Sequence, residues 1–265
     1  MTAFRLELRR SRLLAVWLAV VVAGYGAIMG AMYPVLKAND ALMSEYMQTF
    51  PKGFLAAFGM TGVLSDPGVF FTTYIGSWLW PLIATAAALL LGTRAVAADL
   101  DRGFLDLPLA TPLSRTGYLT ANIVAQVIVM AILAVAVVAG LWLAAAATGT
   151  VFDVAGFALA GLLSFVFGCA LAGVTTLLSV ATLSRGRTSG VIGGVVIAMY
   201  AIFVVTQVSR DWAWIAPISA WDHFRTTPLI DNGVVPVFDF ALFAVIAIGG
   251  WLASVWAFRH RDLAA

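Results

Sequence analysis

The chain has 265 residues, 62% of them hydrophobic and 11% charged, with a mean hydropathy of +1.00. A soluble domain carries about 25% charged residues, and one this apolar would expose patches that soluble monomers do not tolerate, so the chain belongs in a bilayer. A net charge of +2 is too small for a nucleic-acid partner, and one cysteine, Cys169, provides neither a disulfide framework nor a cysteine metal site.

The N-terminal stretch FRLELRRSR (4–12) sets Arg5, Arg9 and Arg12 on one helical face, with Phe4 and Leu8 beside it. It reads either as a helix lying in the membrane interface or as a basic flank that fixes topology. The first apolar run covers roughly 13–35. It exceeds the h-region of a signal peptide, about 7–15 residues, so the segment is expected to be retained. Gly26 and Gly30 form a small-residue patch in its outer half. Residues 43–60 are too polar to span and too apolar to be a free loop, which predicts short interfacial or re-entrant helices. The second run, 69–93, places Thr73, Ser77 and Pro81 four apart on one face. Pro81 frees a backbone carbonyl and lets the helix bend. That face, mildly polar and uncharged, is a candidate substrate path; a kink that only accommodates tilt is the alternative.

Next comes DLDRGFLDLPLATPLSR (99–115), with three aspartates, two arginines and two prolines between nearly uncharged runs. One reading is a solvated loop. The other is a short amphipathic helix within 95–107, with Leu100, Phe104 and Leu107 as its apolar edge and Asp99, Arg102 and Asp106 around it. Such a helix is a docking surface for a partner. Thr111 and Pro112 suit the N-cap and first position of the third span.

Further apolar runs cover roughly 119–147, 155–183, 189–208 and 239–258. Crossing the hydrocarbon core takes about 20 apolar residues, and no alternation of ten-residue strands is present, so the bundle is helical. Gly186, Gly190, Gly194 and Ala198 make a small-residue stripe at the start of the fifth run, open to contact within the chain or with a second subunit. Residues 214–230 repeat the polar, proline-marked pattern of 43–60. Six runs put both termini on one side, with the 94–118 insert and the SRGRT turn (184–188). That side holds eleven arginines against Lys37, Lys52, Arg210 and Arg225 on the other, and the positive-inside rule makes it cytoplasmic. The fold class is an all-α integral membrane protein with six transmembrane helices and both termini cytoplasmic.

Catalytic signatures are missing. There is no phosphate loop ending in Lys-Ser/Thr and no His-Glu-x-x-His, so neither ATP binding in the usual way nor a metal site is expected in this chain. The spans carry no charge at mid-membrane of the kind an ion-coupled carrier uses. Asp99 and Asp101 lack the further ligands of an intramembrane metal-dependent transferase. A polytopic carrier or intramembrane enzyme acting alone is therefore the second reading, and an energy source on another chain the first.

DRGFLDLPLATPLSRTGYL (101–119), preceded by Asp99, resembles the signature of permease subunits of type-2 ABC transporters, and the ending FRHRDL (258–263) is also similar to theirs. Asp101, Arg102, Gly103, Leu105, Asp106, Leu107, Leu109, Thr111, Pro112, Ser114 and Arg115 match it. The resemblance implies one transmembrane domain over 1–265, an N-terminal elbow helix carrying Arg5, Arg9 and Arg12, and a coupling helix between the second and third spans. Asp99, Leu100, Arg102, Phe104, Asp106 and Leu107 would then meet an ABC ATP-binding subunit, which would hold ATP and magnesium. It further implies pairing with a second copy or a similar permease through the first and fifth spans, with Gly26, Gly30, Gly190 and Gly194 at the seam. The implied function is export across a bacterial plasma membrane; the charge-free interior of the spans suits a hydrophobic or amphiphilic substrate such as a drug or lipid, whereas transporters of this kind also carry glycolipids, peptides and ions.

Overall fold

The structure, a computed structural model, describes residues 3–60, 62–101, 103 and 114–260. Among them there is no strand, and six helices are long and apolar enough to cross a membrane: Phe4–Ala38, Pro67–Arg94, Arg115–Thr148, Val154–Thr182, Arg185–Val208 and Val237–His260. Their positions follow the apolar runs closely because hydrocarbon thickness, not propensity, sets the length of such a helix.

Polar residues set several ends. Ser114 caps the third span by accepting from the Gly117 N–H at 3.1 Å. The helix thus begins at Arg115; Thr111 and Pro112, expected at its start, lie outside the described residues. Asp153 caps the fourth span through the Gly156 N–H at 2.7 Å, and Ser184 caps the fifth. Gly149, at φ 69°, ends the third span in the left-handed region. Leu183 adopts φ 51° in the tight turn between the fourth and fifth spans, and packs beside Val180 and Phe258.

The first span corrects the expected elbow. Ala3–Ala38 is one continuous helix of 36 residues, about 54 Å long, so Arg5, Arg9 and Arg12 ride on the first turns of the span. No glycine or proline falls within 3–23, which leaves nothing to break the helix between the arginines and the apolar run.

The second, third and fourth spans form the centre. In its most apolar stretch the second span is 61% buried, whereas the fifth is 11%. Small residues allow the close approaches. Any Cβ added to Gly140 of the third span would collide with the Ala23 carbonyl of the first, and one on Gly26 would reach the Val137 carbonyl at 2.9 Å. Gly173 of the fourth span and Gly250 of the sixth do the same for that pair. Aromatic groups fill the middle: Phe70, Phe71, Trp80, Phe157 and Phe167 are almost fully buried, and the Trp80 Nε1–H donates to the Ser164 carbonyl at 3.1 Å.

One end of the bundle gathers Arg10, Asp99, Tyr118, Val180 and Phe258 from five spans and their connections. Most of the arginines lie there, and we call it the basic end. At the opposite end short helices, Asp40–Met47, Lys52–Ala57, Arg210–Ile218 (3₁₀) and Thr227–Asn232, cover the spans. Between the last two, Trp221 and Phe224 descend to Phe167, 13 residues into the fourth span, about 20 Å along it. The expectation of short helices in both outer segments therefore holds.

Candidate functional site

Two regions combine polar chemistry with an irregular backbone. The first is the short helix Ala97–Asp101, which follows the second span at the basic end. Asp99 is 0% exposed. It accepts two bonds from the Arg10 guanidinium, at 2.8 and 2.7 Å, and a third from the Tyr118 hydroxyl at 2.6 Å. Arg10 also donates to Glu7, 2% exposed, at 2.8 Å, and Arg94 brings a second cation within range of both carboxylates. A carboxylate this buried is tolerated only when fully paired, and the planar guanidinium supplies the bidentate match.

Other spans hold the same helix. The Ala97 N–H donates to Ser179 Oγ at 3.0 Å, and that hydroxyl donates to the Thr93 carbonyl at 3.2 Å. Asp101 Oδ2 accepts from the Arg185 N–H at 3.2 Å, placing a negative charge at the N-terminus of the fifth span. The entry to the 102–113 segment is thus tied to the first, third, fourth and fifth spans at once.

One expected partner contact is corrected here. Asp99 is an internal anchor with no surface left to offer a partner. Leu100 is half-buried against a cluster of the chain's own Ala95, Val96, Tyr118, Leu119, Val180 and Phe258 and keeps part of its surface exposed. Arg102, Phe104, Asp106 and Leu107 lie outside the described residues. Arg10 and Tyr118 escaped the sequence reading: Arg10 looked like one more arginine of a basic flank, and no local spacing links either residue to Asp99.

The second region is the outer half of the second span. That span is built in pieces: an α-helix Pro67–Phe71, a π-helical turn Thr72–Gly76, and an α-helix Leu79–Arg94, with Trp78 at φ −139° between the last two. The π turn adds a residue to the repeat, so Thr73, Ser77 and Pro81 do not share one face. Thr73 is buried and donates to the Gly59 carbonyl at 3.2 Å. Pro81 is buried in the first turn of Leu79–Arg94, where a missing N–H costs least. It leaves the Ser77 carbonyl without its helical donor, and the Trp221 Nε1–H takes that carbonyl at 2.8 Å. Of the three expected path residues, Ser77 borders a cavity. This cavity, of ≈ 210 Å³, is lined also by Thr72, Gln207, Trp221, Arg225 and Thr226. Thr72 Oγ1 shares hydrogen bonds with Thr226 and Thr227 at 2.8 and 2.7 Å. π turns within helices recur at functional positions.

The glycine patches separate. Gly26 and Gly30 face the chain's own third span, where a Cβ on Gly30 would press on Ala144 at 2.7 Å. They are spent inside the subunit, which corrects their expected place at a seam between subunits. A Cβ added to Gly190 or Gly194 would meet nothing within 4 Å from the other described elements. Deeper in the bundle, Gln126 Oε1 accepts from Thr176 Oγ1 at 3.0 Å and Trp251 Nε1 at 3.1 Å, joining the third, fourth and sixth spans. Among the described residues no cluster of His, Cys, Asp and Glu could hold a metal ion.

Residues 4–263 match the family model described as ABC-2 family transporter protein. No curated protein matches the sequence.

Proposed function

The chain belongs to the ABC-2 family of transporter membrane proteins, and on that premise we propose that it is the permease subunit of an ATP-driven exporter of amphiphilic or hydrophobic molecules. The multi-pass chain provides the path, and ATP hydrolysis takes place on a separate ATP-binding subunit. The positive-inside rule turns the basic end to the cytoplasm of a bacterial cell, where that subunit docks.

The observation that carries this reading is the clamp on Ala97–Asp101. A loop that merely joins two spans needs no such anchoring, whereas a lever does. In our reading the 102–113 segment, with Phe104 and Leu107 toward the partner and Arg102 and Asp106 at the rim, receives the ATP-driven displacement. Asp99 passes it to the first and third spans through Arg10 and Tyr118, and Ser179 and Asp101 pass it to the fourth and fifth. The broken second span then bends at Thr72–Trp78 and opens the outer cavity. Its hydroxyls and aromatic walls, with Asp222 and Arg225 also in the lining, favour cargo with a small polar part and a larger apolar one.

The open stripe of Gly190 and Gly194 on the exposed fifth span supports pairing there with a second copy or a similar permease. Purification of the full-length chain from its own membranes tests the assembly. The expected result is a co-purifying ATP-hydrolysing subunit that is lost from the Phe104→Ala protein. Equal recovery from both proteins counts against docking through Phe104.

A further inference from the structure

At the basic end a groove of ≈ 520 Å³ runs between the first and third spans. Arg5, Arg9 and Arg12 border its mouth, and Val16, Val20, Ile128 and Ile132 line its deeper part. The three arginines are exposed, and none of them makes an ion pair among the described residues. The acid nearest them in sequence, Glu7, is turned inward and held by Arg10. Three cations therefore meet at one opening with no carboxylate paired to them among the described residues.

Charge and apolar surface follow one another in a definite order. Arg5 to Arg12 covers about 10 Å of helix, and Val20 lies about 12 Å deeper along the same axis. A trough with a basic mouth and an aliphatic floor has the layout of a phospholipid, headgroup first and acyl chain after. The continuous first span creates this layout, because a break before residue 13 would turn the arginines away from the Val16–Val20 floor.

We propose that this groove is a binding site for one anionic phospholipid of the leaflet at the basic end. The headgroup phosphate sits among Arg5, Arg9 and Arg12, and an acyl chain lies along Val16, Val20, Ile128 and Ile132. Guanidinium groups match phosphate oxygens in bidentate fashion, and the absence of a paired acid favours a lipid with net negative charge over a zwitterionic one. The site does not depend on the transport reading, since it needs only that the chain resides in a membrane.

The test is native mass spectrometry of the full-length protein released from nanodiscs of phosphatidylcholine and phosphatidylglycerol in equal amounts. Wild-type protein is expected to keep phosphatidylglycerol over phosphatidylcholine by about tenfold or more. Substituting Arg5→Gln, Arg9→Gln and Arg12→Gln together removes that preference. Val20→Trp fills the trough, keeps every charge, and lowers retention too. Arg187→Gln with Arg259→Gln, which removes charge elsewhere on the same end, leaves it intact. Equal retention of the two lipids by wild-type protein overturns the proposal, as does equal loss in the Arg187/Arg259 variant. Displacement of the lipid by added inorganic phosphate, with Val20→Trp silent, also overturns it by reducing the site to a plain anion site.

Discussion

Arg10 and Asp99, 89 residues apart, meet in a bidentate ion pair at 2.8 and 2.7 Å where the carboxylate is fully buried. The pair joins the start of the first span to the helix that ends the second. Removing one partner strands the other in a low-dielectric site, at a cost of about 3–5 kcal/mol. Arg10→Ala and Asp99→Ala should each lower the unfolding temperature of the purified chain markedly, and the double variant should recover much of the loss. Additive losses in the double variant would mean that the two residues act independently.

Tyr118 donates to the same carboxylate at 2.6 Å. Tyr118→Phe removes one hydrogen bond to a charged group and keeps the ring, for a loss of about 1.5–3 kcal/mol. In an assembled transporter the same change is expected to leave ATP hydrolysis in place while reducing transport per ATP, because it loosens the third span from the lever. Stability and coupling measured together separate this from plain destabilisation.

A covered glycine and an open one should behave oppositely. Gly140→Ala forces a Cβ onto the Ala23 carbonyl and pushes the first and third spans apart, an overpacking cost of about 1–3 kcal/mol. Gly194→Leu meets nothing within the chain, so its stability as a single subunit should be unchanged. If the fifth span meets a second permease there, that variant shifts the assembled form toward single subunits. Size-exclusion chromatography with light scattering reads both effects.

Ser77 borders the outer cavity, and its carbonyl is held by Trp221 because Pro81 cannot supply an N–H. Trp221→Phe leaves that buried carbonyl unpaired, which costs about 1–3 kcal/mol. Ser77→Trp fills the cavity; it should stop export while the assembly and its basal ATP hydrolysis persist. Normal export by that variant would remove the second span from the path.

The six spans were legible because bilayer thickness demands long apolar runs, which survive any detail of packing. The short outer helices were legible from their proline-marked, half-polar composition. Packing hid the rest. The Arg10–Asp99 pair depends on tertiary contact across 89 residues, and nothing near either residue announces it. Gly26–Gly30 and Gly190–Gly194 carry the same spacing, yet one pair is covered by the third span and the other is open. The face expected from Thr73, Ser77 and Pro81 assumed an unbroken α-helix, and a single π turn removed it. Asp99 fitted the charged rim of an outward-facing helix, yet Arg10 and Tyr118 hold it fully buried.

The account stands most directly on where an ATP-binding subunit touches this chain. A photo-cross-linking phenylalanine analogue at position 104, in the full-length chain in its native membrane, reports that contact, with position 50 at the opposite end as control. Illumination is predicted to give one adduct from position 104, identified by mass spectrometry as an ABC ATP-binding subunit, and none from position 50. Absence of such an adduct from position 104, or an equal yield from position 50, would contradict the account.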